Sequence, residues 1–250
     1  MLISKSNQHR VLISLTPRVK SLKIQPVPLR KVIFANNEVY HVLNRGVAQS
    51  LIFSSTKEYQ RFLNLIDFYR YINPSSSFSY YSRLALKDKE KFLKNLKKKG
   101  ELAEIFAYCL MPNHFHLLLK QLKNKGIPIL LANLQNSYAR YFNLKNQRAG
   151  PLFQSRFKAV RIQTDEQLLH VSRYIHLNPT SSYLIRIKDL SSYPWSSFPE
   201  YLSERESIFI NPRFILELAG GKTRYRKFVF NQAEYQRELN KIKHLSLENS

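Results

Sequence analysis

The sequence predicts an α+β sandwich, with helices on one side of a mainly antiparallel sheet. Three observations predict it. Segments of period-2 apolar alternation interleave with segments of helical period, in the order strand, helix, strand, strand, helix, strand, helix. The short Met111-Pro112-Asn113 turn joins strand-like residues 104–110 to 114–121, a connection that suits antiparallel neighbours. A hydrophobic fraction of 44%, with 13% aromatic residues, suffices for a core in a chain of 250 residues.

The first strand reads Glu38-Val-Tyr-His-Val-Leu-Asn44, whose alternation suggests a half-buried edge, and it ends at the Arg45-Gly46 turn. Ser55 and Thr56 then offer an N-cap to a helix striped by Phe62, Leu63, Leu65, Ile66 and Tyr69. After Asn73-Pro-Ser-Ser-Ser77 comes a Lys-rich segment through Lys97-Lys-Lys99 to Gly100. Its charge density marks residues 75–100 as a solvated helix or flexible insertion, suited to phosphates rather than to a core. Leu130, Leu131, Leu134, Tyr138 and Tyr141 stripe a second helix, closing near Lys145-Asn146. Residues 152–162 read as a strand. A third helix runs from Thr164, with Gln167 three residues on, to Asn178, where Pro179 ends it. Two weaker helical signals follow, at 214–218 and 225–230. The chain therefore divides into a basic N-terminal arm (1–37), a main domain (38–200) and a helical C-terminal extension (201–250).

Forty Lys and Arg against 17 Asp and Glu give a net charge of +23, which a polyanion, DNA or RNA, would neutralise. A membrane surface is the rival partner, but no basic helix with a broad apolar face is evident. The single cysteine, Cys109, excludes intramolecular disulfides and a thiolate zinc cluster, and suits a reducing, cytoplasmic setting. No apolar run approaches the roughly 20 residues of a membrane span. The arm lacks acidic residues and resembles a transit peptide in composition, yet Pro17, Pro26 and Pro28 interrupt it and it shows no helical stripe. A solvated basic arm is the simpler reading.

His114 and His116 carry the most chemistry. They alternate with Phe115 ahead of an apolar run, so a strand puts both imidazoles on one face and the phenyl ring on the other. Two neutral imidazoles a strand step apart can grip one divalent ion and leave other positions open. By itself such a pair is more often two packed core histidines; the support lies in the third helix. His170, Tyr174 and Asn178 recur every four residues there, along one face, either a solvent stripe or a site. A tyrosine, with its pKa near 10, needs a neighbouring cation to attack a phosphodiester at neutral pH. The resulting phosphotyrosine ester preserves the bond energy, so strands can be rejoined without ATP.

At this point the residues resemble a known family. Asn113-His-Phe-His116 looks like the His-hydrophobe-His motif of single-tyrosine HUH transposases. Arg173-Tyr-Ile-His-Leu-Asn-Pro179 looks like the tyrosine helix of their REP-associated branch. Tyr40-His-Val-Leu-Asn-Arg-Gly46, Leu51-Ile-Phe53, Gly150-Pro-Leu-Phe-Gln-Ser-Arg-Phe-Lys158 and Tyr193-Pro-Trp-Ser-Ser197 fit the same branch, in order, across residues 39–201. The resemblance implies a ferredoxin-like core with the histidines on a central strand. It implies Mg²⁺ or Mn²⁺ on His114 and His116, with Asn178 as a third, amide ligand, although imidazoles on their own favour Zn²⁺ or Mn²⁺. It makes Tyr174 the nucleophile that joins a 5′ phosphate and releases a 3′ hydroxyl, on single-stranded DNA beside a hairpin. It also implies a bacterial, nucleoid-associated protein. Departures fall after Gly46, after Pro179 and in the Lys-rich insertion, where they touch DNA-binding detail.

Arg45, Arg156, Lys158 and Arg173 are the expected DNA contacts. Tyr138 and Tyr141 are rival nucleophiles, better read as core; His41 reads as structural, and Trp195 as packing or base stacking. The rival functions are a non-cutting hairpin DNA-binding protein of transposase descent and a basic RNA-binding protein. A monomer is expected, because the long C-terminal segment can cover the sheet; a dimer stays open.

Overall fold

The computed structural model describes residues 32–207 and 209–231. Most of the expected basic arm and the end of the C-terminal extension lie outside the described residues.

Four strands, β1 (Val39–Arg45), β2 (Ala103–Met111), β3 (His114–Gln121) and β4 (Lys158–Ile162), form one antiparallel sheet in the order β2-β3-β1-β4. The α+β class and antiparallel sheet match the expectation. β1, expected at an edge, is interior. It pairs with β3 from Val39↔Lys120 to Arg45↔His114, and with β4 from Val39↔Ile162 to Leu43↔Lys158. Its alternation did not signal exposure on one face, because the polar members His41 and Asn44 are themselves buried. The 152–162 strand is shorter than expected. Phe153 turns into the core against Phe115 and Tyr138, which breaks the extended run before Lys158.

Phe115, Leu117 and Leu119 point to one face. There α1 (Thr56–Tyr69) and α4 (Gly126–Lys145) pack: Phe62 of α1 meets Phe115 and Tyr138 at ring separations of 5.0 Å each. α5 (Asp165–Ser181) lies across the other face, so the helical layers number two rather than one. The reason is in the sequence of α5: nearly every residue from Leu168 to Pro179 is buried, so the helix needs cover on more than one side. Thr164 caps it by accepting from Gln167 N at 3.1 Å. Pro179 sits in the last turn without ending the helix, which runs on to Ser181 before Tyr183 adopts a φ of 55°.

The Lys-rich segment folds as α2 (Phe78–Arg83) and α3 (Leu86–Lys98), anchored by Phe78 and Phe92 on Phe68 of α1. Residues 195–197 cover the open edge of β2: Leu110 N donates to Trp195 O and Ser197 N to Tyr108 O. A short α6 (Phe198–Tyr201), then α7 (Arg213–Leu218) and α8 (Lys222–Phe230), complete the described chain, with α7 and α8 against α5.

Candidate active site

The face of the sheet opposite Phe115 carries His116, His41 and Leu43 side by side, because β1 and β3 pair His116 with Leu43 and Leu118 with His41. Tyr174 descends onto this face from α5. Its ring stands edge-on to His116 at 5.7 Å and to His41 at 5.9 Å, and the residue is buried. A strand motif and a helix motif separated by 58 residues thus meet within one ring's width.

Each motif histidine is oriented through its Nδ1. His114 Nδ1 lies 2.6 Å from Asn113 Oδ1, and His116 Nδ1 lies 2.9 Å from His41 Nε2. Asn113 Oδ1 can only accept, so His114 carries its proton on Nδ1. The same disposition at His116 follows if its Nδ1 donates to His41. Metal-bound imidazoles are held this way, with the nitrogen remote from the metal hydrogen-bonded to a second group. His41 is therefore part of the site, not merely structural. The alternation of His41, Leu43 and Arg45 signalled a shared face, but nothing in the sequence gave the β1–β3 register that sets His41 against His116.

Asn178 is 2% exposed, one turn from Tyr174, and its Oδ1 is buried without a hydrogen-bond partner. A buried amide oxygen in that condition costs about 1–3 kcal/mol unless something binds it. Among the described residues no group of three His, Cys, Asp or Glu is placed to hold a metal. The candidate donors that β3 and α5 offer are two imidazoles and, one turn along α5 from Tyr174, an amide oxygen. Donors of these types suit a divalent cation that keeps several coordination positions for water or phosphate oxygens.

Of the expected DNA contacts, three stay near this face or its rim. Arg45 pairs with His114 across β1–β3, and its Nε is buried without a hydrogen bond. Lys158 pairs with Leu43, and burial, then repulsion from Arg45, hold its ammonium below the usual range. Arg156 is exposed two residues before β4. Arg173 is different. It is fully buried, with its guanidinium 3.8 Å from the Phe228 ring, Nη1 donating to Phe228 O (3.1 Å) and Nη2 3.0 Å from His170 Nδ1. It ties α5 to α8 from a fully buried position, unlike the exposed side chain expected of a DNA contact. A full charge beside the nucleophile read as a DNA contact from sequence, since α8 was not visible as its partner.

The rival tyrosines lie on the other side of the sheet, in the α1–α4 layer. Tyr138 packs on Phe62 and donates its hydroxyl to Ile52 O, and burial drives its pKa far upward. Tyr141 sits beside Tyr138 under Arg61, away from the histidines. Trp195 stacks on Tyr59 at 4.6 Å, which is packing.

Residues 80–178 match the family model described as "Transposase IS200 like". A putative REP-associated tyrosine transposase of Haemophilus influenzae is 32% identical over 106 residues, covering 38% of this chain and 58% of that protein. The chain thus aligns with under two-thirds of that relative's length. A solved REP-associated tyrosine transposase bound to a REP hairpin superposes with a TM-score of 0.48 at 17% identity, covering 71% of this chain and 86% of the other.

Proposed function

We propose that this chain, whose residues 80–178 match the IS200-like transposase family model, nicks and rejoins single-stranded DNA beside hairpins through a covalent 5′-phosphotyrosine. The observation that carries the reading is the convergence of Tyr174 on His116 and His41.

In this reading Tyr174 Oη attacks the scissile phosphorus, the P–O3′ bond breaks, and the protein is esterified to the 5′ phosphate. The phenol loses its proton and the departing 3′ oxygen gains one, so the step balances. Reversal by a different 3′ hydroxyl rejoins the DNA with no nucleotide cofactor. His114, His116 and Asn178 hold the divalent cation, Mg²⁺ or Mn²⁺, and His41 and Asn113 fix the two rings through Nδ1. Such a cation supplies Lewis-acid activation of the phosphate and neutralises charge that develops during in-line attack. Arg45 and Lys158 bear positive charge beside the histidines and Arg156 at the rim, where they steer the phosphate backbone. Burial of Tyr174 keeps water from competing for the ester.

The test is a denaturing-gel assay for a protein–DNA adduct, with single-stranded hairpin oligonucleotides and Mn²⁺. The wild type forms the adduct; Tyr174→Phe and His116→Ala do not. Tight hairpin binding without an adduct would instead identify a non-cutting DNA-binding protein.

A further inference from the structure

A second candidate site lies on the helical layer that covers the other face of the sheet. A cleft of about 1030 Å³ opens between α1, α2 and α4, at the upper end of ligand-pocket volumes. Its lining includes Arg61, Arg83, Arg140 and Lys145 and no Asp or Glu. Of the acids of α1, Glu58 neutralises Lys145 at 2.6 Å, which leaves the three arginines, and Asp67 is held outside the lining by Arg70 at 3.0 Å. Arg83 and Arg140 are exposed. Arg61 is half-buried. Its guanidinium lies over Phe78 at 4.3 Å and Tyr141 at 5.0 Å, with only a long contact to Ser79 Oγ (3.4 Å), and its Nε is buried without a hydrogen bond. Burial disfavours that charge and holds the Arg61 guanidinium below its ordinary pKa. Leu144, 75% exposed, and Tyr141 add an apolar wall.

Cations aligned with an aromatic and aliphatic wall match one ligand chemistry: phosphodiesters with unpaired bases, which stack on rings while their backbone runs along positive charge. The concave shape suits a flexible single strand better than a rigid duplex. Beside the cleft, α3 carries six lysines between Lys87 and Lys98, extending the positive surface.

The geometry points to this cleft as a second single-stranded DNA site, with phosphates on Arg61, Arg83 and Arg140 and a base against Tyr141 and Leu144. It holds a stretch of the strand away from the scissile phosphate, on the face opposite Tyr174. The Lys-rich segment, through α2, thereby contributes a wall to a binding site. This inference rests on single-stranded DNA being the substrate, and it adds where a further part of that strand is held.

The experiment is fluorescence anisotropy of a labelled oligothymidylate of about a dozen nucleotides, which forms no hairpin, titrated with the full chain in EDTA at several salt concentrations. Arg83→Glu/Arg140→Glu is expected to weaken binding about tenfold and to reduce the log–log salt slope by about 1.4, two single-strand phosphate contacts. Arg83→Lys/Arg140→Lys keeps the slope. Lys97→Glu/Lys98→Glu, an equal change of charge on exposed α3 positions, changes the slope by less than half as much. Equal effects of the two reversals, or no effect of the first, would overturn the site. The adduct assay on the same proteins separates the two readings. Absence of an adduct from wild type, with the Arg83/Arg140 loss intact, would sink the transposase chemistry and leave the cleft. An adduct together with unchanged oligothymidylate binding would sink the cleft alone.

Discussion

Replacing His41 with Ala tests whether the site is organised as described. The His41–His116 contact is 2.9 Å long between two rings that are both 0% exposed. Its loss takes this partner from a buried ring nitrogen, at a cost of about 1–3 kcal/mol. At 1.4 kcal/mol per tenfold, that corresponds to a factor of about 5–150 in whatever property depends on the His116 orientation. Loss of a partner behind a metal-bound imidazole independently suggests about 10–100-fold in metal affinity or activity. The two ranges overlap, so a shift of tens-fold is expected. The assay is adduct yield against Mn²⁺ concentration, with circular dichroism to show that the variant is folded. His41→Ala should raise the half-saturating Mn²⁺ by tens-fold and recover much of the yield at saturation. A folded His41→Ala protein with wild-type Mn²⁺ dependence would refute the orienting role. Lower yield at every Mn²⁺ concentration with no shift would place His41's action on Tyr174, which it touches edge-on.

Further perturbations have equally definite outcomes. Phe115→Ala removes a fully buried ring packed on Phe62 and Phe153 and should cost about 3–5 kcal/mol in urea unfolding; under 1 kcal/mol would contradict the packing described. Arg173→Ala should destabilise the chain, through loss of the Phe228 and His170 contacts, and lower adduct yield with the oligothymidylate affinity unchanged; weakened DNA binding would restore it as a DNA contact. Glu58 is buried, which by itself raises its pKa, but bonds from Lys145 and from Ser54 N and Oγ outweigh burial and leave it below 4.5. Its folded pKa is depressed, so its contribution is present above the unfolded value and lost as pH falls through the folded one. Glu58→Gln should therefore cost about 2 kcal/mol at pH 7 and progressively less below about pH 4.5; a constant difference would contradict the assignment. Gly46→Ala would set a Cβ 2.2 Å from Ser50 O, so the loop after β1 must shift, and both melting temperature and adduct yield should fall.

Much of the fold was legible because local rules held along single segments. The apolar run after His116 marked β3, the Thr164 cap started α5, and the stripe from Leu130 to Tyr141 marked α4. The misses depended on what lay across from a segment. β1 read as an edge because period-2 alternation reports polarity, and buried His41 and Asn44 carry polarity into the interior. Residues 152–157 read as strand because Phe153 looks the same whether it extends a sheet or fills a core. At the site, the motif residues His114, His116, Tyr174 and Asn178 were visible from type and spacing. Their supports were not: the His41–His116 contact needs a strand register, and the Arg173–Phe228 clamp needs α8, 55 residues away. The cleft escaped notice for the same reason, since α1, α2 and α4 each show only a solvated face until they are assembled.

Tyr174, held against His116, is the residue proposed to bond to DNA. Mass-spectrometric mapping of the trapped adduct after protease and nuclease digestion tests it most directly. A nucleotide 5′-phosphate is expected on the peptide containing Tyr174, formed only with divalent metal. A nucleotide on Tyr138 or Tyr141, or an adduct that persists in Tyr174→Phe, would contradict it.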